Sequence, residues 1–321
     1  MNHLVQHIHK TDLNSDNTLH VIGVIENPMR YQSRIRLFRE WYAAMLKTPN
    51  VKVYVVETAY GDRRFEVTEK DNPQHLQLHS HQPIWHKENM INLGVKHLLP
   101  LDWKYVSWCD ADVFFDHEGW ALESLHQMQD YSLIQPWSDC LDLGFTGRVL
   151  QTFKSLCYQH QLGVPKQMHP SQPYQYAHSG FAWCARRDFW EAVGGLMDFA
   201  ILGSADHHMA FASIGEVMNT IHKGMNKNFF TLCGQWQDKA FRHTNGQLGY
   251  VPGFLKHKFH GPKARRKYRE RWEILVHDHY DPIGNLVHDT QGLTKVIGNH
   301  KLINDCRKYM LHRQEDSIED Y

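Results

Sequence analysis

Two aspartates one residue apart, Asp110 and Asp112, are the residues of this 321-residue chain whose type and spacing most directly suggest chemistry. They follow the apolar run Tyr105–Cys109, which predicts a buried strand. The two carboxylates are therefore expected to project from a rigid strand end into a loop. Carboxylate oxygens are hard ligands that suit Mg²⁺ or Mn²⁺ bridging a diphosphate. A lone acidic triplet is usually a solvated loop, but its position directly after a strand favours a metal site.

An alternation of strand and helix patterns precedes the two aspartates. Apolar β-branched runs predict strands and apolar residues three and four apart predict helices; the predicted elements are strand 20–25, helix 34–46, strand 51–57 and helix 85–99. This order is typical of βαβ units and a parallel sheet. Ligands of such sheets bind beyond the carboxyl ends of the strands. Asn27 and Glu57, which follow or end the first two strands, are therefore expected to share one crevice with the aspartates.

Three segments of the chain resemble the glycosyltransferases of the GT-A fold. The first is the lead into the aspartates, Trp85 to Gly94 and Leu99-Pro100 followed by Tyr105 to Asp112. The second is similar to the acceptor-side block of galactosyltransferase-like enzymes and comprises His178 to Trp183, Gly194 to Asp198 and Gly203 to Met209. The third, Lys256-His257-Lys258-Phe259-His260-Gly261, is similar to the segment that closes on the metal and diphosphate. The resemblance implies an α/β fold with a mostly parallel sheet flanked by helices, and sugar transfer from a nucleotide-diphosphate donor such as a UDP-sugar.

The resemblance also implies roles for particular residues. The metal, Mn²⁺ or Mg²⁺, is expected to bind Asp110, Asp112 and His260. The nucleotide sugar is expected to contact residues of the crevice edge and of the closing segment, namely Asn27, Arg34, Glu57, Lys87, Asn92, Asp110, His260, Gly261 and Lys263. On the acceptor side the expected contacts include His178, Trp183 and Gly195.

A general base is needed if the transfer inverts the anomeric configuration, because the acceptor hydroxyl must lose a proton. Asp206 is the first candidate, since the glycines before it leave room for a substrate, and Asp198 is the second. The alternative for Asp206 is an N-cap of the helix that follows it. His208 is a further catalytic candidate, although a histidine in this setting is more often a packed or supporting residue.

A basic and aromatic segment, 256–272, suggests the acceptor. Its cations are Lys256, Lys258, Lys263, Arg265, Arg266, Lys267, Arg269 and Arg271, interleaved with Phe259, Tyr268 and Trp272. This mixing is typical of phosphate-backbone binding, and the acceptor contacts predicted within it are Arg265, Arg266, Tyr268 and Arg269. The segment, together with Asn27-Pro28, Arg34, the His260-Gly261 pair, Tyr268 and Asp281-Pro282, resembles the glycosyltransferases that phages and some eukaryotes use on hydroxymethylated DNA bases. This resemblance implies a DNA acceptor. A solvated helix face, cations that grip only the donor diphosphate, and a cytoplasmic glycan or lipid-linked sugar acceptor stay open.

Composition narrows the function classes. Lys+Arg and Asp+Glu both number 35, so no global charge draws the protein to nucleic acid or to an anionic membrane. Six cysteines without a CxxC pair argue against a zinc cluster and a disulfide scaffold, and favour reduced thiols. No apolar leader or membrane-spanning stretch occurs in the sequence, so we expect a cytoplasmic protein without a membrane partner. No protein partner is implied.

The expected organisation is a flexible leader over residues 1–17, one catalytic domain over 18–300, and a C-terminal helix with an acidic tail over 301–321. Within the domain, 18–115 is the nucleotide-sugar half, and 116–300 holds the acceptor half and the metal-closing segment. The apolar-poor tail from Arg313 onwards is expected to be mobile. Two other function classes stay open: a catalytically inactive module that binds nucleotide or polyanion, and a nucleotidyltransferase, although no Gly-rich basic phosphate loop follows the first strand.

Overall fold

The computed structural model describes residues 17–164, 177–268 and 270–320. Its strands are β1 Leu19–Glu26, β2 Val51–Tyr60, β3 His75–Ser80, β4 Tyr105–Cys109, β5 Val113–Phe115, β6 Leu133–Gln135, β7 Asp139–Leu143, β8 Val149–Ser155, β9 Ala177–His178, β10 Ala182–Arg186, β11 Gly249–Tyr250, β12 Phe254–His257, β13 Leu286–His288 and β14 Thr294–Val296. Its helices are α1 Gln32–Met45, α2 Lys87–Leu98, α3 Trp120–Asp130, α4 Leu156–Gln161, α5 Arg187–Val193, α6 Ala205–Ala212, α7 Lys227–Thr244, α8 Arg271–His277 and α9 His300–His312. The predicted flexible leader falls almost wholly on residues 1–16, outside the described ranges.

The larger sheet has seven strands in the order β11-β6-β10-β4-β1-β2-β3. Four of its neighbouring pairs are parallel, and β10 alone runs antiparallel to both of its neighbours. Helices cover both faces. The predicted α/β class with a mostly parallel sheet flanked by helices is therefore confirmed.

Alternate residues of the central strands face opposite sides of the larger sheet. Ile22 and Val56 belong to one core with α2, α5, α6 and α7, whereas Val21 and Val55 belong to another with α1 and α3. Burial on both faces explains why these strands read as continuous apolar runs instead of an alternation of apolar and polar residues. None of the helices in the described ranges is long and apolar enough to cross a membrane.

A smaller sheet, ordered β5-β12-β7-β8-β9, joins the strand after the two aspartates to distant parts of the chain. Its strand β12 runs antiparallel to β5, and His257 lies opposite Val113. Because Val113 directly follows Asp112, this register brings His257 beside the second aspartate. The backbone N–H of Lys258 donates to the carbonyl of Asp112 at 2.8 Å, which holds the two segments together.

Two expectations from the sequence are wrong. The second strand was predicted to end at Glu57, but β2 continues to Tyr60, because its pairing with β3 extends from Val55 to Tyr60. The segment after α9 was predicted to be mobile, but Arg313 and Glu315 are buried, with 4% and 2% of their surface exposed. Ion pairs hold this segment in place, and apolar content says nothing about them.

All six cysteines are buried and none is bonded to another. Burial raises the pKa of the Cys184 thiol to about 12, and it raises the pKa of the Cys109 thiol as well. The thiols are therefore protonated and pack as small apolar groups. This agrees with the expectation of reduced thiols.

A close contact between β1 and α1 generates the first prediction. A Cβ atom on Gly23 would lie 2.4 Å from two ring carbons of the fully buried Trp41. Gly23→Ala is expected to lower the free energy of unfolding by about 1–3 kcal/mol, because an overpacked core must shift. Urea denaturation measures this loss. In the control Gly253→Ala the nearest atom would be 4.0 Å away, so an equal loss in both variants would contradict the steric explanation.

Candidate active site

A cleft of about 480 Å³ opens where β1 and β4 end. Because these strands are parallel, their carboxyl ends meet at the same edge of the sheet. Glu26, the start of α2, the turn from Asp110 to Asp112, and Asp206 on α6 line one side. Later segments close the cleft with His257, His260, Arg266, Tyr268, Arg271, Trp272, Arg313 and Glu315.

Asp112, His257 and His260 form a cluster in which one potential ligand atom from each residue lies within 4.8 Å of the others. His260 Nε2 lies 2.9 Å from Asp112 Oδ2, and His257 Nε2 lies 3.8 Å from Asp112 Oδ1 and 3.3 Å from His260 Nε2. Asp112 Oδ1 is buried and has no hydrogen-bond partner. A carboxylate oxygen without a donor beside two imidazoles fits a divalent cation, and the nitrogen ligands suit Mn²⁺ better than Mg²⁺.

The protonation states of Asp112 and His260 also favour the binding of a cation. Burial opposes the charge on Asp112, but the adjacent His260 and His257 outweigh it and lower the pKa of the carboxyl group. Burial, helped by the nearby Arg266 guanidinium, lowers the pKa of His260 to about 4. An ionised carboxylate and a neutral imidazole are the forms that bind metals.

Asp110, predicted as a metal ligand, is not part of this cluster. Its carboxylate forms an ion pair with Lys87, the first residue of α2. Burial opposes the charge on Lys87, but Asp110 outweighs it, so the pKa of the lysine is raised. The first aspartate thus fixes Lys87 at the cleft, and the second faces the histidines.

Asp206 lies in the first turn of α6 and lines the cleft. It is not the N-cap of this helix, a position that Ser204 occupies. Burial opposes ionisation, but Lys87 and then His178 outweigh it and lower the pKa of Asp206, so the side chain is a carboxylate able to accept a proton. A Cβ atom on Gly180 would lie 2.8 Å from Asp206 Oδ2. The glycine therefore provides the space that the carboxylate occupies.

The wall next to Asp206 is built around Ser204. Its Oγ accepts hydrogen bonds from Arg271 Nη2 and from Trp272 Nε1, the latter at 3.1 Å. Elsewhere in the cleft lining, Arg266 donates to Tyr268 Oη at 3.0 Å. Neither arginine has a carboxylate oxygen of the described chain within 4.0 Å, and the Nε atom of each has no partner. Buried guanidinium groups in this state favour an anionic ligand.

The basic segment 256–272 does not form the free cationic stripe that the sequence suggested. Lys256, Lys258, Lys263 and Arg265 each pair with an acidic residue, namely Asp116, Glu40, Asp142 and Glu319, respectively. Arg266 and Arg271 are buried at the cleft. Arg269 lies outside the described residues. Among the described cations of the segment, Lys267 alone is exposed without an ion pair.

Three predicted donor residues have structural roles away from the cleft. Glu57 accepts hydrogen bonds from the backbone N–H groups of residues 66, 67 and 68, which pins the loop after β2. Asn27 closes a turn by bonding both backbone groups of Tyr31. Asn92 bonds both backbone groups of Leu196, and a Cβ on the predicted acceptor residue Gly195 would lie 2.7 Å from its Oδ1.

Other predicted residues are likewise absent from the cleft lining. Asp198 accepts a hydrogen bond from Asn89 and pairs with His288, and Trp183 donates to the carbonyl of Ser179. His208 is buried 2.7 Å from Thr220 Oγ1, and burial lowers its pKa to about 3. Lys263 pairs with Asp142, and Gly261 packs against Glu315. Of the remaining predicted residues, Arg34, Lys87, His178 and Tyr268 line the cleft.

Several cleft residues were missed by the sequence reasoning. His257 belongs to the predicted closing segment but was not predicted to bind the metal, although its spacing from His260 is a signal for two ligands on one turn. Glu88 stood in the lead to the aspartates, and Arg313 and Glu315 were assigned to a mobile tail. Nothing local indicates that Arg313 and Glu315 meet the aspartates. Their positions depend on contacts between distant segments.

No protein-family model and no curated protein matches this chain. Among solved structures it is similar to the catalytic domain of Drosophila β1,4-galactosyltransferase 7 with xylobiose, at 10% identity and a TM-score of 0.38 over 90% of this chain and 98% of that one. A mutant of that enzyme in complex with manganese, UDP-Gal and xylobiose has 12% sequence identity and a TM-score of 0.39 at the same coverage. The 4-diphosphocytidyl-2C-methyl-D-erythritol synthase of Anaerococcus prevotii has 8% sequence identity and a TM-score of 0.37, over 92% of this chain and 97% of that one. Such scores are too low to support a functional assignment, so the function rests on the cleft itself.

The buried carboxyl group of Glu88 is expected to make the stability of the protein depend on pH. Burial raises the pKa of this cleft carboxyl from 4.5 to about 8. A group whose pKa is higher in the folded state stabilises the fold fully below its unfolded pKa, and this contribution is lost as the pH rises through about 8. The unfolding free energies of the wild type and of Glu88→Gln are compared in EDTA between about pH 5 and 8. For each pH unit that the pH rises, the variant is expected to become more stable relative to the wild type by up to about 1.4 kcal/mol. A pH-independent difference in urea denaturation would show that Glu88 is ionised in the folded protein.

Proposed function

We propose that this protein is a metal-dependent glycosyltransferase that uses a nucleotide-diphosphate sugar. One observation carries the proposal: a cation-type cluster of Asp112, His257 and His260 lines the same cleft as an ionised Asp206. A site that only held nucleotide would have no use for a carboxylate base within the cleft. The resemblance of the sequence motifs to GT-A enzymes points the same way.

The donor diphosphate is expected on the side of the histidines. Mn²⁺ held by Asp112, His257 and His260 would neutralise the charge that develops on the leaving diphosphate. Arg266 lies on this side, close enough for its charge to lower the pKa of Asp112. Its guanidinium is available to hold phosphate oxygens in a bidentate manner.

The acceptor is expected on the side of Asp206. The acceptor oxygen attacks the anomeric carbon, the bond from that carbon to the diphosphate oxygen breaks, and the hydroxyl proton passes to the Asp206 carboxylate. The charge of Lys87 keeps this carboxylate ionised before the attack. This assignment corresponds to an inverting transfer.

A carbohydrate acceptor fits the cleft better than DNA does. Trp85, Tyr268 and Trp272 line it and offer aromatic faces beside a few polar groups, which is typical of small-ligand sites. A duplex needs a row of free cations outside the cleft. Four cations of the predicted stripe are instead paired with carboxylates. A glycan or sugar hydroxyl is therefore the proposed acceptor, ahead of a hydroxymethylated base.

Metal binding is tested with Asp112→Asn. Mn²⁺ at about 100 times its Kd is expected to add about 2.7 kcal/mol to the unfolding free energy of the wild type, since it binds the folded state. The variant should lose this gain and the transferase activity, while its unfolding midpoint in EDTA stays close to that of the wild type. The control is Asp116→Asn, an exposed aspartate paired with Lys256, which should respond to Mn²⁺ like the wild type. Full activity in excess chelator would overturn the metal assignment.

The base is tested with Asp206→Asn, using radiolabelled UDP-sugars and a panel of saccharides, hydroxymethylated DNA and plain DNA. We expect kcat to fall roughly 10²- to 10⁴-fold while donor affinity is retained, because the base acts on the acceptor. Asp198→Asn, which alters a carboxylate outside the cleft, should leave kcat unchanged.

The same panel separates the alternatives. Transfer to hydroxymethylated DNA, with a log–log salt slope of about −0.9 for each phosphate contacted, would overturn the carbohydrate acceptor but not the transferase. Donor binding without transfer to any acceptor would favour a binding module. Release of pyrophosphate would favour a nucleotidyltransferase.

A further inference from the structure

Residues 313–320, which follow α9 and are called the strap below, lie against the cleft. Tyr31, at the start of α1, donates from its hydroxyl to the carbonyl of Met310 at 2.9 Å and accepts from the backbone N–H of Gln314 at 3.0 Å. Farther along, Asp320 accepts from the backbone N–H of Phe145 at 2.6 Å. Polar contacts thus hold the strap at both ends.

The strap also completes α1. The N-cap residue of this helix makes no side-chain capping bond of its own. Asp316 supplies it instead, because its two oxygens accept from the backbone N–H groups of Gln32 at 2.9 Å and Ser33 at 2.8 Å. Ser33 Oγ donates to the carbonyl of Glu315 at 3.0 Å. An acidic residue at a helix N-terminus is favourable for the backbone N–H groups and the helix dipole.

Glu315 is the buried centre of the strap. It accepts from Arg34 Nε at 2.5 Å and Nη2 at 2.8 Å, and from Arg313 Nε at 2.5 Å. Its Oε2 lies 3.9 Å from His260 Nδ1. The same carboxylate therefore lies behind a histidine of the metal cluster and fixes an arginine of the cleft wall.

The other histidine of the cluster also has a buried carboxylate behind it, and this one is closer. His257 Nδ1 lies 2.6 Å from Asp142 Oδ1, so its Nε2 is left to face Asp112. Both histidines thus point Nε2 at Asp112 and Nδ1 towards a buried carboxylate, which lies within hydrogen-bond distance of His257 and at ion-pair distance from His260. Carboxylates behind metal-binding histidines fix the tautomer and orientation of the ring, and their loss typically weakens metal binding 10- to 100-fold.

The backbone of the closing segment leaves space for this arrangement. Gly261, directly after His260, has a φ of +87°, and a Cβ there would lie 2.8 Å from Glu315 Cα. The strap passes over the chain at this glycine, where a side chain would obstruct it. His260 and Glu315 are brought together by this close approach of two backbones.

We propose that the strap is part of the metal centre and that Glu315 is a positioning residue, which orients His260 for the metal and at the same time fixes Arg34 at the cleft. This inference rests on the proposed metal site. Asp142 has the corresponding role for His257. The strap thus links the start of α1 to the metal cluster, and loosening it weakens metal binding without removing a ligand.

The test is Mn²⁺ affinity, measured from the electron paramagnetic resonance signal of free Mn²⁺ in titrations of the full chain. Glu315→Gln is expected to raise the Kd for Mn²⁺ roughly 10- to 100-fold, and Asp142→Asn similarly. The control Glu319→Gln changes a strap residue whose side chain is 66% exposed, and its Kd should equal that of the wild type. An unchanged Kd in Glu315→Gln overturns the proposal.

A second variant covers the case in which Glu315→Gln does not fold because two arginines lose their buried partner. Asp316→Ala removes the cap of α1 but leaves Glu315 intact, and it should raise the Kd for Mn²⁺ above that of Glu319→Gln. An equal Kd in these two variants overturns the role of the strap. Asp112→Asn separates this proposal from the proposed function. If Asp112→Asn leaves Mn²⁺ binding unchanged, the proposed metal site itself is wrong. If Asp112→Asn abolishes Mn²⁺ binding but Glu315→Gln does not change it, only the proposed role of the strap is wrong.

Discussion

The turn from Asp110 to Asp112, between β4 and β5, is the constraint on which the cleft depends. Its backbone is held from two sides, because Asp110 N–H donates to the carbonyl of Phe181 at 2.7 Å and the carbonyl of Asp112 accepts from Lys258 at 2.8 Å. Phe181 has a φ of +77°, a conformation that costs a side-chain-bearing residue of order 1–3 kcal/mol. Packing offsets this cost, since the ring stacks on His178 with centroids 4.0 Å apart. The strained residue Phe181 therefore holds the turn at which the side chains of Asp110 and Asp112 contact different partners.

Charge in the cleft is divided between groups that are paired within the protein and groups that are not. Lys87 with Asp110, and Arg34 with Glu315, need no ligand. Asp112 Oδ1 lacks a donor, and the guanidinium groups of Arg266 and Arg271 lack a carboxylate. Because an unpaired buried charge is costly, the unpaired groups indicate which ligand charges the cleft accepts. A cation beside Asp112 and phosphate oxygens beside Arg266 complement them.

The basic segment shows why a count of cations along the chain is a weak guide to a partner. Lys256, Lys258 and Lys263 form ion pairs with carboxylates that lie more than a hundred residues earlier in the chain, namely those of Asp116, Glu40 and Asp142, respectively. Their charges hold the segment against the rest of the domain. The same segment carries His257 and His260, so its paired cations also hold these two candidate metal ligands in place.

What the sequence alone determined is local in origin. The strand Tyr105–Cys109 has the predicted bounds, and helices predicted over 34–46 and 85–99 begin within two residues of α1 and α2, because hydrophobic periodicity reflects contacts within each element. It also singled out Asp112, Asp206 and His260, which line the cleft. Only the tertiary structure decided that His257 joins Asp112, that Asp110 belongs to Lys87, that Glu57 and Asn92 pin loops, and that Glu315 lies behind His260. These depend on the register of β12 against β5 and on ion pairs between distant residues, and neither leaves a periodic signal in the chain.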